Sequence, residues 1–167
     1  HMNITYRKPT LDEVFKIYQH YVRVIASMQE NGIDQWDNLY PNSADIAADI
    51  ANGDLWVGEN EGKIIITFAV NKDCEEEYDA CPWVYPNEPY IVVHRLAVNP
   101  KYRRQGVAKN AMEFVEKDAK EKGIRTIRLD TFCKNVAGAT LYESLGFKVI
   151  GFAHWRKGKF QIMEKII

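Results

Sequence analysis

A short basic turn between a strand-like segment and a helix-like segment carries the clearest chemical signal in this sequence. The turn runs from Asn99 through Arg103 and Arg104 to Gly106, after an apolar segment that ends at Val98. Helix N-termini present backbone N–H groups without intrahelical acceptors and carry a partial positive charge, which suits a phosphate or pyrophosphate. Gly106 would allow a ligand to approach the backbone closely. The alternative is an ordinary capped helix whose charged residues are solvated.

Other nucleotide-binding and metal-binding signatures are missing from the sequence. It contains no GKS or GKT triplet and no GxGxxG turn, which argues against the Walker and dinucleotide-binding classes. The cysteines Cys74, Cys81 and Cys133 form no CxxC pair. We therefore expect neither a disulfide scaffold nor a structural zinc site, and no metal cofactor.

The composition is that of a globular protein with balanced charge. Apolar residues make up 46% of the 167 residues, and 22 Lys and Arg face 23 Asp and Glu, for a formal net charge of -1. Such balance favours neither nucleic acid nor an anionic membrane surface as a partner. No apolar run could span a bilayer, and no secretion signal is apparent. We predict one cytoplasmic domain over residues 2–167, with His1 as the remnant of a tag.

Four helices are predicted around the turn. Thr10 and Glu13 form a capping-box pair that predicts a helix through about Gln29. Ser43 is the predicted cap of a short second helix. The apolar spacing then predicts helices over residues 106–122 and 136–145.

The strand pattern completes a mixed α/β order. Residues 4–6, 90–98, 125–132, 147–154 and 160–166 read as strands, and residues 55–70 read as a hairpin with a positive φ at Gly62. Residues 73–89 are acidic and then rich in proline, which predicts an irregular excursion. The order β α α β β β α β α β β predicts an α/β (α+β) domain with a largely antiparallel first half.

Two blocks of this chain resemble the Gcn5-related N-acetyltransferase (GNAT) family. Residues 103–108 match its acetyl-CoA signature of Arg or Gln, two residues, Gly, one residue, then Gly or Ala. In the second block, Asn135 is followed seven residues later by Tyr142 and then by Gly146-Phe147, while Gly138 stands where alanine is usual. The resemblance implies the acyl-CoA N-acyltransferase fold, with a mostly antiparallel central sheet that is splayed at the cofactor strand and flanked by helices.

The resemblance implies acetyl-CoA as the co-substrate. Backbone groups of Leu96 and Val98 would pair with the pantetheine arm, and Asn135 would hydrogen-bond to it. The backbone amides from Arg104 to Ala108 would hold the pyrophosphate. The implied binding residues are Leu96, Ala97, Val98, Arg103, Arg104, Gln105, Gly106, Val107, Ala108, Lys109, Asn135 and Tyr142.

The resemblance also implies two catalytic residues. The Tyr142 hydroxyl would lie near the sulfur and protonate the leaving thiolate, since a phenol has a pKa near ~10. His94 is the candidate general base, because imidazole titrates near neutrality and some family members have a histidine at this strand position. Other members use a glutamate where this chain has Val92. Core packing for Tyr142 and a structural hydrogen bond for His94 stay open, as do Glu88, Asp79 and Glu77 as weaker alternative bases.

Aromatic residues in predicted loops are the candidates for binding the amine acceptor. Trp36 and Tyr40 follow the first helix, and Trp83 and Tyr85 lie in the proline-rich excursion, so we expect them to border the acceptor. The alternative is that they bury loop surface. The predicted function is acetyl transfer to a primary amine of a small molecule, with a protein or peptide acetyltransferase and a non-catalytic acyl-CoA-binding module as alternatives. Because family members are often dimers, a homodimer is an open alternative to a monomer.

Overall fold

A computed structural model describes residues 2–167 of the chain. Seven strands and four α-helices follow one another in the predicted order, β α α β β β α β α β β. The strands are β1 (Thr5–Arg7), β2 (Leu55–Asn60), β3 (Lys63–Asn71), β4 (Tyr90–Val98), β5 (Thr126–Phe132), β6 (Lys148–Trp155) and β7 (Gly158–Ile166). The helices are α1 (Val14–Glu30), α2 (Ser43–Ala51), α3 (Val107–Glu121) and α4 (Val136–Ser144).

The strands form one mostly antiparallel sheet in the order β1-β2-β3-β4-β5-β7-β6. Strands β4 and β5 are parallel, and their pairing joins Tyr90–Val92 with Thr126–Arg128. Since β4 continues to Val98 and β5 to Phe132, the sheet opens after three residue pairs. This confirms the mixed α/β fold and the splay at the proposed cofactor strand. The outer strand β6 has a register shift between Val149 and Gly151.

The described residues group into two compact units. The first contains the chain up to Val70 and Arg95–Met112. Its core is built by α1 and α2 with strands β2 and β3, and includes the fully buried Ile17, Tyr21, Ile46, Leu55 and Val57. The second contains Asn71–His94 and Glu113–Ile167, with a cluster of buried Tyr78, Val92, Ala153 and Ile162. The single domain stays a prediction.

The two N-terminal helices begin at recognisable caps. The capping box is confirmed, because the backbone N–H of Thr10 donates to the Glu13 carboxylate at 2.8 Å, and a short 3-10 turn at Leu11–Glu13 leads into α1. The predicted Ser43 cap is wrong by one residue. Asn42 caps α2 instead: its Oδ1 accepts from the backbone N–H of Asp45 at 3.0 Å, so Ser43 is the first helical residue.

The hairpin and the excursion also follow the prediction. Gly62 has φ +74, which its lack of a Cβ permits, and the strands pair in antiparallel register. Between β3 and β4 the only regular element is a 3-10 turn, Glu76–Ala80. Within residues 2–167, no helix is long and apolar enough to cross a membrane.

Candidate active site

The basic turn of the first unit joins β4 to α3 through two residues in left-handed conformations. Asn99 starts the turn, and its Oδ1 accepts from the backbone N–H of Lys101 at 3.1 Å. Arg104 has φ +60 and Gly106 has φ +71. A Cβ placed on Gly106 would meet no atom within 4 Å, so the space beside this glycine is open.

The first turn of α3 presents three backbone amides without acceptors. Asn110 is the first residue of the helix whose N–H finds a carbonyl, that of Gly106 at 3.0 Å. Outside the bonds internal to helices and strands, no backbone hydrogen bond of residues 2–167 is donated by Val107, Ala108 or Lys109, as expected for the first turn of a helix. The Val107 and Ala108 side chains are buried, which anchors the helix end. Three fixed N–H donors at a helix N-terminus fit a pyrophosphate.

The side chains around these amides divide between solvent and protein. Arg103, Arg104, Gln105 and Lys109 are all exposed, and Arg103 also donates through Nη2 to the Ser27 hydroxyl. Ala97 is buried in the core of the first unit. Side chains alternate along a strand, so those of Leu96 and Val98 lie on the opposite face of β4.

Arg95 interrupts β4 immediately before the proposed cofactor residues. Its φ is +51, a left-handed conformation inside a strand. The Tyr21 hydroxyl donates to its carbonyl oxygen at 2.7 Å. His20 Nε2 lies 3.0 Å from the carbonyl oxygen of Ala97, and because a carbonyl only accepts, this nitrogen carries the proton. Neighbouring side chains of α1 thus hold carbonyls on both sides of Leu96.

The Arg95 side chain forms a buried ion pair. Its Nε and Nη2 each donate to one carboxylate oxygen of Asp49 at 2.7 Å, and its Nη1 donates to the Tyr40 hydroxyl at 2.8 Å. The side chains are 14% and 7% exposed. Burial raises the pKa of Asp49, and the hydrogen bonds from Arg95 oppose this shift. Arg95 is not among the residues predicted from the sequence, although an arginine inside an otherwise apolar strand is a visible signal.

Tyr142 lies on α4 of the second unit, and the second family block positions it. Asn135 caps the helix, because its Oδ1 accepts from the backbone N–H of Gly138 at 3.0 Å. A Cβ on Gly138 would lie 2.8 Å from Asn135 Nδ2, so the glycine leaves room for the capping amide. The Tyr142 ring meets the buried Phe147 edge-on, with 5.8 Å between centroids.

The surroundings of Tyr142 favour its protonated form. Burial raises the pKa of its hydroxyl, and the negative charge of Asp130 raises it further. Asp130 accepts a hydrogen bond of 2.7 Å from the Tyr78 hydroxyl. The hydroxyl is therefore protonated at neutral pH, and the raised pKa makes it a weaker acid than a free phenol.

The candidate base His94 is hydrogen-bonded to the end of the neighbouring strand in the sequence. Its Nε2 lies 2.7 Å from Oδ1 of Asn71, the last residue of β3. His94 is partly exposed and shares a face of β4 with Tyr90 and Val92, because side chains alternate along the strand.

The four aromatic residues predicted for the acceptor lie in different surroundings. Trp36 is buried in the core of the first unit, and the Tyr40 hydroxyl belongs to the Arg95 ion pair. In the second unit, Trp83 and Tyr85 already stack on guanidinium groups, those of Arg128 and Arg125, at 3.8 and 3.9 Å from the ring centroids. One face of each ring is therefore occupied by a cation of the protein itself.

Arg128 is a buried cation that the sequence analysis did not identify. It is 4% exposed and lies between the rings of Trp83 and Tyr90. Its Nε and Nη2 have no hydrogen-bond partner among residues 2–167. The buried carboxylate of Glu164, its neighbour on β7, accepts instead from the backbone N–H of Val84 at 3.3 Å. The excursion is thus attached to the sheet by stacking on Arg128.

No cluster of three or more metal-ligating side chains exists in the described part of the chain.

A model of the acetyltransferase (GNAT) family matches residues 12–147. The chain therefore belongs to the GNAT family of acetyltransferases, as the two sequence blocks indicated.

Solved structures of acetyltransferases resemble the whole chain. A GNAT-family acetyltransferase from Streptococcus agalactiae is 30% identical, with a TM-score of 0.84 over 98% of this chain and 95% of that one. The PaiA N-acetyltransferase from Thermoplasma acidophilum, solved in complex with coenzyme A, is 20% identical, with a TM-score of 0.69 over 99% and 100%. At that identity the second likeness concerns the fold alone.

Curated relatives match a shorter region. The ribosomal-protein alanine N-acetyltransferase of Escherichia coli is 30% identical over 88 residues, which are 53% of this chain and 58% of that protein. Human N-acetyltransferase 8 is 30% identical over 108 residues, which are 62% of this chain and 43% of that protein. The chain thus spans about half the length of these relatives.

Proposed function

We propose that this protein transfers the acetyl group of acetyl-CoA to a primary amine of a small molecule, by direct attack of the amine. The observation that carries the proposal is the set of three amides, Val107–Lys109, that have no acceptor at the start of α3. They follow a turn with the family's acetyl-CoA signature, and oriented N–H donors at a helix N-terminus suit a pyrophosphate.

The remaining binding groups would come from β4 and from α4. Acetyl-CoA would supply the activated thioester. Backbone groups of Leu96 and Val98 would pair with its pantetheine arm, because the Arg95 and Ala97 carbonyls are already held by α1. Asn135, whose Oδ1 accepts the hydrogen bond of the helix cap, would hydrogen-bond to the pantetheine.

The proposed chemistry needs one group that accepts a proton and one that gives a proton. His94 would take a proton from the acceptor ammonium, which leaves a lone pair on the amine for attack. Tyr142 would give its proton to the departing thiolate, since a phenol is protonated at neutral pH and can donate to a basic sulfur.

Binding and turnover test the proposal separately. Calorimetric titration of acetyl-CoA and CoA, with ATP and NAD as controls, should show selective binding of the two CoA species. Thiol release from acetyl-CoA should then depend on an added amine. A folded protein that binds neither CoA species would contradict the cofactor site, and binding without thiol release would identify an acyl-CoA-binding module.

A protein or peptide acceptor is the second candidate, since an Escherichia coli relative is a ribosomal-protein alanine N-acetyltransferase. A panel with small primary amines and with peptides that begin with alanine distinguishes the two. We expect higher kcat/KM for a small amine. A clear preference for the peptides would replace the small-molecule proposal with the peptide one.

A further inference from the structure

We propose that Asp49, acting through Arg95, is a positioning residue for the pantetheine arm of acetyl-CoA. The buried carboxylate holds Arg95 in a left-handed conformation, and this conformation aims the backbone groups of Leu96 and Val98 at the cofactor. The inference rests on the proposed function, in which those backbone groups pair with the pantetheine.

The left-handed conformation of Arg95 is unfavourable on its own. Its φ of +51 lies where the Cβ of an L-residue crowds the following carbonyl oxygen. Arginine has neither the freedom of glycine nor the short hydrogen-bonding side chain with which Asn and Asp accommodate this region. Such residues persist only where the surrounding contacts over-determine them, and they cluster at functional sites. The contacts of Arg95 must therefore maintain its conformation.

Two sets of contacts fix Arg95, one on each side of its Cα. On the main chain, the Tyr21 hydroxyl donates to its carbonyl oxygen at 2.7 Å. On the side chain, Nε and Nη2 each donate to a different oxygen of Asp49 at 2.7 Å, a bidentate pair that fixes the plane of the guanidinium. Because the Cα is chiral, a fixed carbonyl and a fixed side chain together determine the direction from which the chain enters the residue, which is what φ describes.

Asp49 is a buried anchor for this side chain. It lies in the last turns of α2, and its own carbonyl oxygen accepts from the backbone N–H of Asp54 at 2.9 Å, just after the helix ends. A buried ion pair is a poor source of net stability, because apolar residues of similar volume often stabilise a core as well or better. The conformation that the pair imposes on Arg95 explains its presence better than added stability does.

The left-handed residue lies at the start of the strand segment that we propose as the cofactor edge. Within the described chain, β4 pairs with β5 only through Tyr90–Val92. The carbonyl of Ala97 is held by His20. If Arg95 became extended, the peptide groups between it and Ala97 would have to rotate, and those of Leu96 would leave the row that an added strand-like ligand needs.

A glycine substitution separates the conformation from the ion pair. Arg95→Gly is compared with Arg95→Ala, each combined with Asp49→Leu so that no buried charge is left unpaired. Both remove the guanidinium, but only glycine adopts a positive φ as readily as a negative one. Calorimetry with CoA should give an affinity close to that of the unmodified protein for Arg95→Gly. The affinity of Arg95→Ala should be about 5- to 30-fold weaker, because only its left-handed fraction binds.

NMR of the unliganded full chain measures the conformation without any cofactor. A positive φ brings the amide hydrogen and the Hα of one residue close together, so the intraresidue NOE of Arg95 should be strong. It should be weak for residue 95 in the Arg95→Ala variant. A weak NOE in the unmodified protein would overturn the inference. If Asp49→Leu does not fold, Arg95→Gly and Arg95→Ala alone give the same comparison, because a buried carboxyl without its partner takes up a proton.

Glu61 provides the matched control for the effect of a left-handed residue on stability. It has the same φ of +51 but is exposed, in the turn between β2 and β3. Glu61→Gly and Glu61→Ala should bind CoA with equal affinity, whatever the difference in their melting temperatures. A CoA affinity that followed the melting temperature in this pair as well would overturn the positioning role, because general stability would then determine binding.

The failure of this inference differs from the failure of the proposed function. Equal CoA affinities of Arg95→Gly and Arg95→Ala would overturn the positioning role, whether both bind well or both bind poorly. In turnover, the loss in Arg95→Ala should appear in the KM for acetyl-CoA and disappear when acetyl-CoA is saturating; a loss confined to kcat would also overturn it. Absence of CoA binding in the folded, unmodified protein would instead contradict the proposed function.

Discussion

The hydroxyl of Tyr21 donates a hydrogen bond of 2.7 Å to the carbonyl oxygen of Arg95, the residue at which β4 adopts a positive φ. His20, the preceding residue of α1, holds the carbonyl of Ala97 in the same way. The backbone on either side of Leu96 is therefore fixed by one helix, and it is this backbone that we propose to pair with the pantetheine arm.

Breaking the buried ion pair of Arg95 should destabilise the protein strongly. Asp49→Asn leaves the guanidinium buried without a counter-charge, so we expect a loss of about 3–5 kcal/mol in the free energy of unfolding. Urea denaturation measures it. Glu88→Gln is the matched control, because its partner Arg125 and Glu88 itself are 50% and 39% exposed, and such a pair contributes about 0–1 kcal/mol. Equal losses in the two variants would refute the special role of the buried pair.

His20 should make stability depend on pH in mildly acidic solution. Burial lowers its pKa to about 4, whereas an unfolded histidine titrates near ~6.5. The unfolded chain therefore binds the proton first, so the stabilisation is complete above pH ~6.5 and is lost as the pH falls towards 4, by about 3 kcal/mol.

Unfolding curves of the unmodified protein and of His20→Gln, measured between pH 7 and pH 4, isolate this contribution. The glutamine can still donate to the Ala97 carbonyl but does not titrate. The unmodified protein should lose more stability across this interval than the variant. Parallel losses would show that other groups, and not His20, cause the acid sensitivity.

Gly106 should be required for acetyl-CoA binding beyond its contribution to stability. Gly106→Ala strains a residue at φ +71 and should cost about 1–2 kcal/mol of stability as well as weaken binding. Gly123→Ala is a close control, because Gly123 has φ +74 and an added Cβ there would likewise meet no atom within 4 Å. The two glycines differ in position, since Gly123 follows the end of α3 whereas Gly106 precedes its start. We expect similar melting temperatures and a loss of calorimetric affinity only in Gly106→Ala. Equal affinities would mean that the turn does not contact the cofactor.

Tyr142→Phe should slow acetyl transfer strongly and leave the fold intact. The ring would keep its edge contact with Phe147, whereas the proton donor is lost, so we expect a fall of about 10²–10⁴ in the single-turnover rate. Because burial and Asp130 raise the pKa of this hydroxyl, no alkaline limb below pH ~10 should arise from it. An unchanged single-turnover rate would exclude Tyr142 as the proton donor.

Local patterns in the sequence predicted the fold well, because each element carries its own periodicity and caps. Strand β4 occupies the predicted residues 90–98. The short pairing of β4 with β5 agrees with the splayed sheet that the resemblance to the GNAT family implied. The cap of α2 was misplaced because Asn42 and Ser43 are both good capping residues, and only the hydrogen bond to Asp45 decides between them.

The contacts between distant residues could not be predicted in this way. Arg95 and Asp49, which form an ion pair, are 46 residues apart in the sequence. His94 and Asn71, which share a hydrogen bond, are 23 residues apart. Hydrophobic periodicity also does not tell a buried aromatic ring from one that lines a pocket, and Trp36 lies in the core of its unit. The roles of the predicted site residues stay predictions until binding and turnover are measured.

The register shift in β6 has a consequence for how this protein behaves at high concentration. β6 is an outer strand of the sheet, and a long, flat outer strand is a template on which another chain can add a strand. The irregularity between Val149 and Gly151 breaks the even row of hydrogen-bonding groups, and the Cys81 side chain packs tightly over Gly151. We therefore expect this irregularity to disfavour the addition of a strand from another chain at this edge of the sheet.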